Sequence, residues 1–193
     1  MKQTFLLLIA IYLIANSCKS EPDRYVINKH NIGYLSDSTA IKDLASIFSN
    51  DSISRFIGGD EFIGNPNLIK VYEKETQTLL LELTPKEALD SLSTIQSVRL
   101  LDPRYKTKKG LNKLGTYKDI RSKYNISSIQ NTLRNLIVSV NEIDAYFTIE
   151  KSELPENLRY DMTKKIESVS IPNKAKIKDF FIQWFWYEKR KHA

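Results

Sequence analysis

The segments Leu68-Ile69-Lys70-Val71-Tyr72 and Leu79-Leu80-Leu81-Glu82-Leu83, with the polar break Glu73-Lys74-Glu75 between them, decide the reading of this chain. Two apolar runs of strand length around a short polar connection predict an antiparallel hairpin. The order recurs downstream, where Leu136-Ile137-Val138-Ser139-Val140 and Ala145-Tyr146-Phe147-Thr148-Ile149 straddle Asn141-Glu142-Ile143-Asp144. A short helix precedes each hairpin. Before the first, Ser36-Asp37-Ser38-Thr39 offers N-caps, and Ile41, Leu44, Ala45 and Phe48 follow at helical spacing. Before the second, Thr116 and Asp119 have the spacing of a capping box. Ala40-Ile41-Lys42-Asp43-Leu44 aligns with Thr116-Tyr117-Lys118-Asp119-Ile120, and Phe48 with Tyr124, at one common offset of 76 residues. Helix then hairpin, twice over, suggests a duplicated unit.

The expected fold is α+β: two helix-plus-antiparallel-hairpin units, over residues 31–83 and 110–150, forming a sheet with short helices packed on it. A C-terminal strand extension completes one globular domain over residues 31–193. Thr84-Pro85-Lys86-Glu87 predicts a further short helix, with Thr84 as cap, Pro85 at the first position, and Ala88, Leu89 and Leu92 on its apolar face. Ile95 to Leu101 reads as a strand closed by Asp102-Pro103. Gly58-Gly59-Asp60 and Gly64-Asn65-Pro66-Asn67 are turn material. From Ala175 to Tyr187, Phe180, Ile182, Trp184 and Trp186 alternate with Phe181, Phe185 and Tyr187, which fits a strand buried on both sides, a helix being the alternative.

The N-terminus gives an address. Met1-Lys2-Gln3 is a short positive start, Thr4 to Ala15 is almost wholly apolar, and Asn16-Ser17 precede Cys18, the single cysteine of the chain. A charged region, an apolar region and small residues at a cut form the layout of a secretory signal over residues 1–17. The cysteine just past the cut resembles the lipobox of bacterial lipoproteins, although Ala15 stands where the commonest lipobox has leucine. The resemblance implies that Cys18 is diacylated, that residues 18–30 form a lipidated tether, and that the protein is held in the bacterial envelope, at the outer membrane or cell surface rather than the inner membrane. The apolar run is too short for a spanning helix, which needs about 20 residues. A plain cleaved signal remains the alternative.

A cap, a short helix with Lys-Asp-aliphatic and a hairpin, repeated behind a lipoprotein signal, is similar in element order to two groups of envelope proteins. They are the small lipoprotein of the barrel-assembly machine and the tandem-repeat β-lactamase inhibitor protein. Leu101-Asp102-Pro103-Arg104-Tyr105-Lys106-Thr107, Gly110-Leu111 and the helix at Thr116 also resemble uncharacterised lipoproteins of Bacteroidota-type bacteria. These resemblances imply non-enzymatic protein binding on a sheet face, with an envelope protein as partner.

Charge is uneven. Residues 101–193 carry 19 Lys/Arg against 11 Asp/Glu, whereas residues 18–100 carry 9 against 12. A basic half favours anionic partners or is simply a solvated surface, and an exported protein does not meet nucleic acid. Arg104, Lys106, Lys108 and Lys109, around Tyr105, form the candidate anionic-partner site; a solvated turn is the alternative. The C-terminal aromatic run reads as core or as a docking surface.

Catalytic chemistry finds little support. The two histidines, His30 and His192, lie near opposite ends, and no Cys/His spacing for zinc or Asp-rich calcium loop occurs. Ser38 and Ser127 lack a Gly-x-Ser-x-Gly setting, and Gly58-Gly59 lacks the Gly-Lys-Ser/Thr of a phosphate loop. Neither a metal nor another cofactor is expected. Asp60, Glu61, Glu73 and Glu75 are acids close enough in sequence for a glycan-acting enzyme. Function therefore reads as a lipid-anchored envelope binding or assembly accessory module. An inhibitor or immunity lipoprotein against a toxin or hydrolase is the second reading, and a glycan-acting enzyme the third.

Overall fold

Apolar residues alternate along most of the middle of the chain, and in the computed structural model, which describes residues 23–55, 67–160 and 163–184, that alternation becomes a large antiparallel sheet. The expectations placed on Cys18, Asp60, Glu61, Phe185, Trp186, Tyr187 and His192 lie outside the described residues. In chain order come β1 (Val26–Ile27), β2 (Asn31–Ile32) and β3 (Leu35–Ser36). A single 3-10 turn, Ile41–Asp43, then runs into α1 (Leu44–Ile47). Next are β4 (Asp51–Arg55), β5 (Ile69–Glu73), β6 (Leu79–Pro85), β7 (Ile95–Leu100) and β8 (Lys106–Thr107). The chain continues through α2 (Tyr117–Lys123), β9 (Ser128–Asn131), β10 (Asn135–Val140), β11 (Ala145–Glu150) and β12 (Asp179–Gln183). The fold is mixed α+β, with two sheets and few, short helices.

The eight-stranded sheet has the order β4-β5-β6-β7-β12-β11-β10-β9, and a four-stranded sheet has the order β3-β2-β1-β8. In the large sheet β7 pairs antiparallel with β12 at the centre, and a meander runs outward on either side. That central register is symmetric: Leu100 faces Phe180, Arg99 faces Phe181, and Val98 faces Ile182. The helical segments are tied down in matching ways. Ile41 and Lys42 donate their amides to the carbonyls of Ser93 and Ser91, at 3.0 and 2.9 Å; Tyr117 and Lys118 donate to Ala175 and Asn173, at 2.8 and 3.0 Å. Bridges Ala40–Thr94 and Thr116–Lys176 sit beside these bonds. Each set uses helix N-terminal amides that no helix of its own can satisfy.

Inward side chains of the sheet, including Leu81, Leu83, Val98, Leu100, Val138, Phe147, Phe180 and Ile182, share one core with Leu44, Tyr117, Ile120, Ile27, Ile32 and Leu35. The triple leucine of β6 departs from strict alternation because Leu80 is an extra residue at a bulge, where Tyr72 pairs with Leu79 and Val71 with Leu81. Leu80 and Leu81 are both fully buried as a result. Gly33, between β2 and β3, has φ +54°, and a Cβ there would lie 2.1 Å from the Arg24 carbonyl oxygen. Only glycine fits that turn.

The structure departs from expectation in several places. Residues 23–30 are not a free tether: β1 pairs with β2 and β8, and Ile27 is buried. Each hairpin gains a third strand, β4 or β9, and a second sheet forms. Thr84-Pro85-Lys86-Glu87 starts no helix. Thr84 and Pro85 pair with Ser97 and Ile95, and the Lys86 amide donates to Thr94. Leu89 adopts φ 64° and is exposed, as is Leu92. The loop is shaped by offering its Ser91 and Ser93 carbonyls to the first helical segment, and this outweighs the local cap. In β12, Phe180 and Ile182 are buried while Phe181 is only half-buried, so this strand is covered on one face among the described residues.

Leu44→Ala should cost about 2–5 kcal/mol in urea unfolding, because Leu44 is fully enclosed. Leu89→Gly should cost less than about 0.5 kcal/mol, whereas glycine inside a real helix costs about 1 kcal/mol. A loss near the helical value would restore the helix.

Candidate functional site

The outward residues of the large sheet form a row that crosses all eight strands. Successive pairings align Ser54, Lys70, Glu82, Arg99, Phe181, Tyr146, Ser139 and Ser128. Neighbours in such a row interact directly. Arg99 is central: it donates to Glu82 at 2.9 Å from Nη1, and to Asp179 at 2.6 Å from Nη2 and 3.1 Å from Nε. Lys70 Nζ stands 4.0 Å from Glu82, and the Thr148 hydroxyl donates to Asp179 at 2.8 Å. Burial disfavours the charge on Arg99, but its hydrogen bonds to Asp179 and Glu82 outweigh this and raise its pKa. The guanidinium carbon lies 5.9 Å from the Phe181 ring centroid, and Phe181 stacks on Tyr146 at 4.6 Å and 8°. Burial and then the Asp179 charge push the Tyr146 hydroxyl up.

Beyond Tyr146 the row opens into a groove of about 600 Å³, whose lining includes Ser128, Gln130, Ser139, Asn141 and Tyr146. Among the described residues, the side-chain polar atoms of these five make no hydrogen bond. Ser127 is used structurally, donating to the Ser139 carbonyl at 2.9 Å and accepting from the Asn141 amide at 3.0 Å. Asp144, the charged residue in the lining, lies 3.9 Å from Lys29 with its side chain 4 % exposed. The sheet face thus has a charged cluster whose groups pair with one another, reaching Asp179 on β12, and beyond Tyr146 a neutral stretch in which these five side chains do not.

The candidate basic residues differ in how they are held. Arg104 is bound by Asp102, at 3.0 Å from Nε and 2.9 Å from Nη2, and by Glu73 at 2.7 Å, and it lies 4.8 Å from the Tyr25 ring centroid. Lys109 donates to the Lys123 carbonyl at 2.7 Å and to Glu142 at 3.1 Å, 4.4 Å from the Tyr124 ring centroid. Lys106 on β8 and Lys108 after it are exposed. Lys108 and Lys109 line a second cleft, of about 500 Å³, with Lys29, His30 and Glu142. Of the expected acids, Glu73 is held by Arg104 and by Thr76, and Glu75 is exposed. Among the described residues, no group of three His, Cys, Asp or Glu side chains is placed to hold a metal. The sequence reading missed the outer row, although the alternation of β6, β10 and β11 marks which residues face outward.

No protein-family model matches the chain, and no curated protein matches it. The fold resembles the crystal structure of the uncharacterized protein yfeY from Escherichia coli. The TM-score is 0.52 over 81% of this chain and 98% of that chain, at 12% identity. At such low identity the likeness is one of fold.

The Arg104 cluster sets a pH response. Its hydrogen bond, then that of Thr76, holds the Glu73 carboxyl below its ordinary range. Burial pushes Asp102 up, but hydrogen bonds from the Arg104 side chain and amide bring it below that range too. A carboxylate lowered on folding contributes its full stability above the unfolded pKa, about 4, and loses it as pH falls through the lower folded value. In thermal unfolding, Arg104→Ala should therefore destabilise most at pH 6, with the deficit shrinking toward pH 3. A deficit that does not change with pH would contradict this.

Proposed function

We propose that this protein is a lipid-anchored bacterial envelope binding module without enzymatic activity, and that it holds an envelope component on the outer face of its large sheet. One observation carries the reading: the neutral half of the outer row ends in a groove in whose lining the side chains of Ser128, Gln130, Ser139, Asn141 and Tyr146 make no hydrogen bond among the described residues. Ser139 and Tyr146 are half-buried while Ser128, Gln130 and Asn141 are exposed, and a concave site with polar groups open to the outside beside an aromatic ring suits a ligand. The signal-like N-terminus ending at Cys18 supports export and acylation. Two or more acyl chains would anchor the protein stably, which one chain alone does not. No helix among the described residues is long and apolar enough to cross a membrane.

The reading of two related units belongs to the same proposal. Support for it comes from the matched helix anchors and the symmetric register about Arg99 and Phe181. If one ancestral helix-and-meander unit was duplicated, the two halves of the row are diverged copies: one sealed by ion pairs, the other kept open.

Two experiments test the proposal. In cell fractionation the wild type should sediment with membranes, and Cys18→Ser should appear in the soluble exported fraction; unchanged sedimentation would count against the lipid anchor. In affinity capture from native envelope extract, the full chain should retain a component that Tyr146→Ala fails to retain and Lys70→Ala still retains. Retention by all three would move the binding surface away from the neutral half.

A further inference from the structure

We infer that the groove beside Tyr146 binds a neutral polyhydroxylated ligand, a glycan segment, with Tyr146 as a platform for a sugar ring and Ser128, Gln130, Ser139 and Asn141 as partners for its hydroxyls. The inference rests on the outer face being a binding surface, and it names the ligand class. Three features of the groove select that class.

The first is charge. Among the described residues the lining is hydroxyl, amide, aromatic and, at Ile137 and Ala145, aliphatic, apart from Asp144, whose carboxylate is buried near Lys29. Among the described residues no lysine or arginine lines the groove, so an anionic ligand would leave water without a counter-charge to meet there, which is costly. A cationic ligand would find its one carboxylate already beside a lysine. The second is hydrogen-bonding capacity. Serine hydroxyls both donate and accept, and the Gln130 and Asn141 amides do both at opposite ends. A ligand that is itself a dense array of groups that donate and accept satisfies such a set. An apolar ligand would bury these groups unpaired, which is unfavourable.

The third feature is the aromatic ring. Phe181 covers one face of Tyr146 by parallel stacking, and Arg99 in turn lies over Phe181. Tyr146 also lines the groove, opposite Ser139 in the register. A ring fixed from behind in this way presents a flat apolar surface without first having to be ordered. The C–H face of a pyranose is flat and apolar while its rim is hydroxyl, which matches a ring bordered by serine and amide side chains. The charged half of the sheet offers the contrast. There, Lys70, Glu82 and Arg99 already pair with one another, and Arg99 reaches across to Asp179 on β12, which Thr148 also holds, so that half is closed to such a ligand.

The test is isothermal titration of the full chain, held in a polyoxyethylene detergent that carries no sugar. The probes are maltohexaose, cellohexaose and mannohexaose, with hexagalacturonic acid as the anionic comparator. At least one neutral probe should bind, and more tightly than the anionic one. Tyr146→Ala should weaken that binding about tenfold or more, which corresponds to about 1.4 kcal/mol. Gln130→Ala should weaken it a few-fold, and Lys70→Ala should leave it unchanged. Gln130 is exposed on the edge strand, so this variant decides the matter even if Tyr146→Ala fails to fold. The inference is overturned if no neutral probe binds, if only the anionic one does, or if Gln130→Ala binds like the wild type. Should the probes fail while capture of an envelope component still depends on Tyr146, the glycan inference falls and the binding-face reading stands. Should capture fail too, both fall.

Discussion

The antiparallel pairing of β7 with β12 is the contact on which the rest of the molecule depends. It joins two meanders that would otherwise be separate small sheets, and it is made by strands far apart in sequence. On the inner face it packs Val98 and Leu100 against Phe180 and Ile182, all fully buried or nearly so. On the outer face it sets Arg99 beside Phe181, with Glu82 and Asp179 in reach of the guanidinium. A small unit buries a smaller share of its apolar surface than a larger one does. Joined edge to edge and covered on one side by the helices and the small sheet, the two share a single core.

Joining the halves also gives the outer face its polarity. Arg99 compensates Glu82 of one meander and Asp179 of the other and, through its position over Phe181, supports the stacked ring pair. Each link is modest: cation–π and stacking contacts contribute about 0.5–1.5 kcal/mol apiece. Their effect is mainly geometric. They hold Tyr146 upright at the border of the groove, so that the neutral half is preorganised while the charged half is satisfied. Preorganisation lowers the entropy lost on binding.

How much of this was legible in the sequence depends on how far each cause reaches along the chain. The runs at 68–83 and 136–149 predict the hairpins correctly because their apolar residues are dense and their breaks polar. The edge strands β4 and β9 escaped because each carries a single large apolar residue, Ile53 or Ile129, too few for alternation to show. Thr84 to Glu87 has the local chemistry of a helix start, but the carbonyls that must face the first helical segment lie in that same loop, and the tertiary demand prevailed. Arg104 and Lys109 read as parts of a free basic stretch because one partner of each, Glu73 and Glu142, is more than thirty residues away. The outer row was half legible: period two tells which residues face outward, but only the order of strands tells that Arg99 meets Asp179 and that Tyr146 meets Phe181.

Hydrogen–deuterium exchange of the full chain, free and loaded with the envelope component it retains, tests the central claim most directly. The account predicts slowed exchange on loading in β9, β10 and β11 and in the turn around Asn141, with β4, β5 and β6 unchanged. Slowing centred on β4 to β6, or on the Lys106 and Lys108 region, would contradict it.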